Sequence, residues 1–362
     1  MKKLLALALA LVMVFALAAC GSDTTEPSAD PAASGSPAAD PGTTESNEPT
    51  AEPITIKVGY MNNYGSLWSV LTAEQMGYME EQGITLELSS FQDGPTIISA
   101  MESGSIDIGY IGDGAHKLCA AGSAEIIALS HISNGDAVIG GPNVTSLEDL
   151  AGKTVAYAAG TSSEVILTNA LNSVGLTMDD INGMDMDPSS MVSAMLSENV
   201  DACAIWSPQS TTILDELEGA TVLADNVTFA DQSIALSSWI VLPDNLESMH
   251  DVLVRFLTAL FQGMDYAADE HHEEVAQWVA DELKVEYKDS YGETTSGEWM
   301  TGKEVYEGVK DGTVQGYYEF QQELMIAKPD STITEAVPVE NYVAFDLITE
   351  VGEALYGEAA AE

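Results

Sequence analysis

From residue 54 the chain switches repeatedly between two hydrophobic periods. Ile54-Thr55-Ile56-Lys57-Val58-Gly59-Tyr60 alternates apolar and polar positions, the period of a half-buried strand. Residues Ser66 to Gln82 follow with helical spacing and stop at Gly83, where a glycine suits a C-cap. Ile84-Thr85-Leu86-Glu87-Leu88 reads as the next strand. Pro95 to Glu102 reads as a helix with proline in its first turn. Ile106 to Ile111 is then a strand, and Asp113 to Ala121 a helix. Strands alternating with helices predict an α/β fold, a mainly parallel sheet flanked by helices.

The pattern then recurs. Ser99-Ala100-Met101-Glu102-Ser103-Gly104-Ser105-Ile106-Asp107-Ile108-Gly109-Tyr110-Ile111 aligns with Ser193-Ala194-Met195-Leu196-Ser197-Glu198-Asn199-Val200-Asp201-Ala202-Cys203-Ala204-Ile205. Two helix-strand units can match by chance; the sharper reading is two similar lobes. Ligands of open α/β sheets bind beyond the carboxyl ends of the strands. The loops Gly112-Asp113-Gly114 and Trp206-Ser207-Pro208 would then meet across one cleft. The second lobe starts near Gly140-Gly141-Pro142 and ends near Trp239–Pro243, giving lobe 1 as 54–138 plus 240–362 and lobe 2 as 139–239. Crossings near 138–141 and 236–240 form a hinge of the kind that lets lobes close on a ligand. Amphipathic helices are expected at 245–268, 271–283, 303–326 and 340–355.

Composition removes several function classes. The chain has 362 residues, is 46% hydrophobic and carries a formal net charge of -47. Phosphate contacts need Lys and Arg, so nucleic acid is not an expected partner; Arg255 is the one arginine and sits in a C-terminal helical stretch. Cys119 and Cys203 lie in apolar surroundings and read as small buried hydrophobes. No CxxC or metal-ligand spacing occurs. His271-His272-Glu273-Glu274 places its groups on adjacent helical positions, which point apart, so it reads as a solvated face. No GxSxG is present, and none of the five histidines sits in a catalytic motif. Neither a metal nor a cofactor is expected.

The N-terminus is a different kind of segment. Lys2 and Lys3 precede an apolar run from Leu4 to Ala19, the form of a secretory signal and shorter than a membrane span. Leu17-Ala18-Ala19-Cys20-Gly21 resembles the lipobox of bacterial lipoproteins, which implies cleavage after residue 19 and diacylglycerol on Cys20. An ordinary signal peptide cut at an A-x-A site is the alternative. Residues 20–53 lack aromatic residues, Lys and Arg and read as a disordered, extended tether. The expected location is the extracytoplasmic face of a membrane, held by lipid.

Several motifs in order resemble one family. They are Val58-Gly59-Tyr60, Asp93-Gly94-Pro95, Ser103 to Gly109, Gly112-Asp113-Gly114, Leu150 to Ala156, Gly160-Thr161-Ser162-Ser163-Glu164, and Val200-Asp201-Ala202 with Trp206-Ser207-Pro208. The chain resembles the solute-binding proteins of ABC importers for nitrate, sulfonates and taurine, a group related to thiamine-pyrimidine-precursor binders. The resemblance implies a two-lobed type II periplasmic-binding-protein fold, a helical C-terminal extension, and a monomer that delivers a small molecule to permease and ATPase subunits. It favours a small oxyanion of the aliphatic sulfonate, taurine or nitrate type. The alternatives are a neutral or cationic heterocycle such as a thiamine pyrimidine precursor, and an enzyme of the related pyrimidine-precursor synthase class.

Candidate ligand contacts follow from residue type. Gly160, Thr161, Ser162 and Ser163 open a helix, where free N–H groups and hydroxyls suit an anion or carbonyl, although Thr161 or Ser162 also reads as an ordinary cap. Trp206 can stack on a planar ligand or serve the core. Asp113 can accept a ligand donor or cap its own helix, and Gly112 precedes it. Asn62, Asn63 and Tyr64 offer amide and hydroxyl groups after the first strand, or form a turn. Asp93 departs from the small residue expected before Gly-Pro in sulfonate binders and weighs against an anion.

Overall fold

The computed structural model describes residues 52–230, 232–268, 270–327 and 333–358. The signal segment 1–19, Cys20 and nearly all of the tether lie outside the described residues. The described residues form one compact unit.

Two sheets organise that unit. The strands are β1 (Ile54–Met61), β2 (Ile84–Phe91), β3 (Ile108–Ile111), β4 (Glu125–Ser133), β5 (Asp136–Gly140), β6 (Thr154–Tyr157), β7 (Asn182–Asp185), β8 (Ala202–Trp206), β9 (Thr221–Asp225), β10 (Leu236–Val241) and β11 (Gly297–Trp299). The first sheet runs β11-β4-β10-β3-β1-β2 and the second β7-β6-β8-β5-β9. Strands β1, β2 and β3 pair in parallel, as do β6, β7 and β8. β10 runs antiparallel between β3 and β4, and β5 antiparallel between β8 and β9. Each lobe is therefore a mixed sheet with one reversed strand beside the repeated unit. β11 adds a further antiparallel edge to the first sheet.

The repeat is structural. Asp93 and Asp187 cap the helices Gly94–Glu102 and Pro188–Leu196, accepting the N–H of Thr96 at 2.8 Å and of Ser190 at 3.0 Å. After each helix the chain turns through a left-handed residue, Gly104 at φ 73° and Glu198 at φ 54°. Asp107 accepts the N–H of Lys57 in β1, and Asp201 that of Thr154 in β6, both at 2.9 Å. Each aspartate thus fastens a helix-strand unit to the first strand of its own sheet.

Several boundaries differ from expectation. The chain enters the second sheet at Asp136, not near 139, and β10, expected in part to end lobe 2, belongs entirely to the first sheet. Both strands are buried along their whole length, and such a strand does not say which sheet it joins; its pairing does. The helix expected over 66–82 is split into Tyr64–Gln75 and Tyr78–Glu81 by Gly77 at φ 82°. The stretch 303–326 breaks at Gly312, φ 85°, into Gly302–Asp311 and Thr313–Ala327. Residues 113–121 begin as a 3-10 turn over Asp113–Ala115 before the helix His116–Ala120.

The C-terminal helices brace the first lobe. Helix His250–Ala267 crosses Tyr64–Gln75 so closely that a Cβ at Gly263 would lie 2.5 Å from the Ser69 carbonyl oxygen. Arg255 on that helix donates to the Gln82 carbonyl at 2.9 Å, away from the cleft. Cys119 and Cys203 are free and buried, as their apolar surroundings suggest, and burial pushes both thiols up. His271 stacks on Tyr266, ring centroids 3.9 Å apart, while His272 reaches the Tyr64 hydroxyl at 3.4 Å. The pair does point apart, yet His272 is half-buried rather than solvated. Among the described residues no group of three or more His, Cys, Asp or Glu is arranged to hold a metal, and no helix is long and apolar enough to cross a membrane.

Candidate functional site

A cleft of about 640 Å³, its open mouth included, lies where the carboxyl ends of β1, β3, β4, β6 and β8 converge. The first lobe contributes Met61, Asn63, Gly65, Tyr110, Gly112, Asp113, His131 and Ser133; the second contributes Asp136, Thr161, Ser162, Trp206 and Ser207. Ser237 of β10 adds a hydroxyl. The two loops that end the repeated units thus line one cavity.

Closure is tight on one side. A Cβ at Gly114 would lie 2.0 Å from the Thr161 carbonyl carbon and 2.6 Å from the Ser162 nitrogen. Only glycine allows the first-lobe loop to lie against the helix start of the second lobe. Lys117 and Glu164 form an ion pair at 3.3 Å across the same seam. Glu164 also accepts the Gly160 N–H at 2.9 Å, and Gly160 stands at φ 79°.

Not all eleven candidate contacts reach the cavity. Asn63, Gly112, Asp113, Thr161, Ser162 and Trp206 line it. Asn63 and Thr161 also cap their helices, accepting from Ser66 N at 2.9 Å and Ser163 N at 3.2 Å. The other five fall outside the lining. Asn62 is exposed. Asp93 caps its helix, and the neighbouring Gly94 reaches the cavity instead. Gly160 sits in the seam. Ser163 ties its helix to the sheet, donating to the Ala204 carbonyl at 2.7 Å and accepting from Ala158 N at 3.0 Å. Tyr64 lies behind the floor, its ring 5.1 Å from that of Trp299.

Two of the three carboxyl groups at the cavity, Asp136 and Glu293, were not among the sequence candidates. Asp136 starts β5 opposite Trp206 and is 2% exposed. Its backbone N–H donates to the Asn226 side chain at 2.7 Å. Burial raises its carboxyl, and hydrogen bonds from the Ser162 and Asn226 side chains act the other way. Its Oδ1 has no hydrogen-bond partner. Glu293 arrives from the C-terminal region, 5% exposed, accepting the Tyr64 N–H at 3.0 Å. Burial, reinforced by Asp289, pushes it up to about 8. Burial brings His131 down to about 3, so its ring is neutral. Tyr110, stacked on His131 at 6.2 Å, is raised by burial and then by Asp136, Glu293 and Asp113, which places its hydroxyl among the three carboxyl groups. Among the described residues no Lys or Arg lines the cavity.

Aromatic rings give the remaining wall. Trp206 is 9% exposed, and Trp299 packs against His131 at 4.6 Å and Trp68 at 5.2 Å. The indole N–H of Trp299 donates to the Thr294 carbonyl at 2.6 Å, which fixes its plane.

Two mixed sheets, each with its reversed strand at the crossing, and a cleft at their carboxyl ends define a periplasmic-binding-protein fold. A solved alkanesulfonate-binding protein of Xanthomonas axonopodis pv. citri, bound to MOPS, has this fold at a TM-score of 0.59 and 21% identity, covering 81% of this chain and 99% of that one. A desulfurization enzyme shares it at a TM-score of 0.60 and 16% identity, over 82% of this chain and 98% of the other, so the fold is used for catalysis as well as binding. Residues 66–274 match the NMT1/THI5 like family, and the chain belongs to it. A putative binding protein of Brucella abortus is 30% identical over 276 residues, 76% of this chain and 86% of that one. A putative aliphatic sulfonates-binding protein of Escherichia coli is 30% identical over 182 residues, 48% of this chain and 56% of its own length.

Proposed function

We propose that the protein is the extracytoplasmic solute-binding component of an ABC importer. Its cleft captures a small solute that presents a cationic or N–H donor group, and the closed form is handed to permease and ATPase subunits. The observation that carries the ligand reading is the buried, unpartnered Oδ1 of Asp136 in a cavity whose lining includes Asp113 and Glu293 and, among the described residues, no Lys or Arg. A buried carboxylate oxygen without a donor is costly, and a ligand N–H relieves that cost. Trp206 and Trp299 offer ring faces to a planar ligand. A heterocycle of the thiamine-pyrimidine-precursor type meets both demands. Binding without turnover is the reading for this chain, supported by the relatives' names as binding proteins. Cys20 carries the lipid that holds a monomeric protein to the membrane.

A second reading is favoured by a specific observation. The relatives include a sulfonate binder, and Thr161 and Ser162 open the helix Ser162–Ser173 toward the cleft. A helix start contributes about 0.3–2 kcal/mol toward an anion. Ser162 lies beside Asp136, however, and an oxyanion there would face that carboxyl.

Titration calorimetry with an aminopyrimidine, taurine, ethanesulfonate and nitrate separates the two. The heterocycle is expected to bind, and Asp136→Asn to weaken it about tenfold or more, since a hydrogen bond to a charged group is worth about 1.5–3 kcal/mol. Binding of ethanesulfonate alone, unchanged by Asp136→Asn, rejects the cationic reading. For the anchor, Cys20→Ser should move the protein from the membrane to the soluble fraction of its native cell.

A further inference from the structure

The family match ends at residue 274, yet Glu293, Ser296 and Trp299 line the cleft. We infer that residues 287–299 are the specificity element of this cleft, and that Glu293 within them is the counter-charge for a planar cationic heterocycle. This rests on the ligand reading above.

The segment is built to hold a charge in place. A short helix, Tyr287–Gly292, runs into a 3-10 turn, Glu293–Thr295, and then into β11. β11 pairs with β4 so that Trp299 stands opposite His131. Asn134 N donates to the Ser296 carbonyl at 2.7 Å, which fixes the turn where the chain crosses to the second lobe. A Cβ at Gly297 would lie 3.0 Å from the His131 ring, a tight contact that shows how closely the segment approaches β4. The segment is thus held to the first lobe through the residues that follow Glu293.

Glu293 itself has more burial than a structural role needs. The Tyr64 N–H is one donor to one oxygen, at 3.0 Å. A glutamine would accept that N–H equally well and would not carry the cost of a buried ionisable group. What the carboxyl adds is charge, delivered to a cavity that also holds aromatic faces. The titratable groups facing it are Asp289 on its own segment, Tyr64, Tyr110 and Asp113 of the first lobe, His131 of β4, and Asp136 of the second lobe. His131 is neutral and Tyr110 protonated, so none of these supplies the missing positive charge. With its carboxyl pushed up to about 8, Glu293 is largely protonated in the empty cleft at neutral pH. A cation at this position draws it into the ionised form, and the carboxyl proton leaves to solvent as the ion pair forms.

The test uses the full chain, with protonated 4-aminopyridine as the planar cation and ethanesulfonate as the anion. Calorimetry at pH 7 in buffers of different ionisation heat reads both affinity and protons released. Wild type is expected to bind the cation and release up to one proton. Glu293→Gln, which keeps the acceptor for Tyr64, should bind it about tenfold or more weakly with proton release lost. Glu293→Asp, which keeps the charge one methylene further back, should retain proton release with reduced affinity. Equal affinity and equal proton release in wild type and Glu293→Gln overturn this inference while leaving the ligand reading intact. Wild type that binds ethanesulfonate and neither 4-aminopyridine nor an aminopyrimidine overturns the ligand reading itself.

Discussion

In the first lobe the repeated unit ends in Gly112-Asp113-Gly114; in the second it ends in Trp206-Ser207-Pro208. Up to those loops the lobes match closely. Ser105 and Asn199 donate to Ala100 and Ala194 at 2.9 Å in each copy, and Asp107 and Asp201 hold their first strands at the same distance. Past the strand the copies part. One loop is pared to glycine so that it can lie against the opposite lobe, while the other carries a tryptophan into the cleft. The duplicated part is scaffold, where hydrogen bonds fix the backbone, and the divergent part is chemistry. A lobe can keep its frame and change its loop at little cost in stability.

The sharpest break of this comparison is at Gly114. Gly114→Val puts a side chain where the lobes touch, with its Cβ 2.0 Å from Thr161. Ligand affinity is expected to fall about a hundredfold, roughly 2.7 kcal/mol, because the closed form is lost. Scattering should show a radius of gyration that no longer shrinks with ligand. Gly112→Ala is the control: nothing lies within 4 Å of its Cβ and its φ of -89° suits alanine. Its melting midpoint should stay near wild type, and at saturating ligand its radius of gyration should still shrink. Equal loss in both variants would mean that the loop, not the approach of the lobes, governs binding.

The cleft walls differ as well. Asp136 comes from the second lobe's reversed strand and Glu293 from the first lobe's C-terminal extension. A carboxyl with a raised folded value stabilises the fold at low pH and loses that contribution as pH rises through the folded value. For Glu293 the window runs from 4.5 to about 8. His116 and His131, lowered by burial, act oppositely and only below 6.5. Between pH 6.5 and 8 the ligand-free protein should therefore lose up to about 2 kcal/mol through Glu293. Melting midpoints across that range should fall in wild type and flatten in Glu293→Gln. A slope that survives the substitution assigns the effect elsewhere.

How much of this was legible in the sequence follows the same division. The helix-strand repeat, the aspartates within it and the two loops at its ends could be read, because periodicity and turn chemistry are local. The start of helix Ser162–Ser173 was legible for the same reason, through Gly160-Thr161-Ser162. Asp136 was not, since an acid at the start of an apolar strand looks like a strand boundary. Glu293 and Trp299 were out of reach for a stronger reason. They enter the cleft through pairing of β11 with β4, a contact between residues over 160 positions apart. The faint signal was Gly292-Glu293-Thr294-Thr295-Ser296-Gly297-Glu298-Trp299, a polar turn with a tryptophan lodged between two helices. Asp93, Gly160 and Ser163 had the residue types of ligand contacts but serve caps, seams and sheet ties, roles that sequence alone does not separate from binding.

The scaffold half of the comparison can be tested through its two aspartates. Asp201 is half-buried and also lies 3.8 Å from Lys153, whereas the Asp107 bond is exposed to water. Asp201→Ala is expected to cost about 1.5 kcal/mol and Asp107→Ala about 1 kcal/mol, since water replaces the exposed bond more readily. Denaturant unfolding measures both. A larger cost at Asp107 would mean that the lobes are not fastened alike.

The smallest expected effect is the most specific to the duplication. Gly104 and Glu198 occupy equivalent turns, at φ 73° and 54°. Left-handed backbone is free for glycine and costs other residues about 1–2 kcal/mol. Nothing lies within 4 Å of a Cβ at Gly104, so a side chain there meets strain without a clash. Gly104→Ala should therefore destabilise by about 1 kcal/mol, less the gain from a stiffer unfolded chain. Glu198→Gly should do the reverse and stabilise by about 0.5 kcal/mol, the relief of strain being partly offset by glycine's greater unfolded-state entropy. Opposite signs for the two substitutions, measured by chemical denaturation in one buffer, support a common turn whose geometry was kept while its residue drifted. Equal signs would show that the second lobe has relaxed its turn, so that the match between the copies stops at the hydrogen bonds of the aspartates.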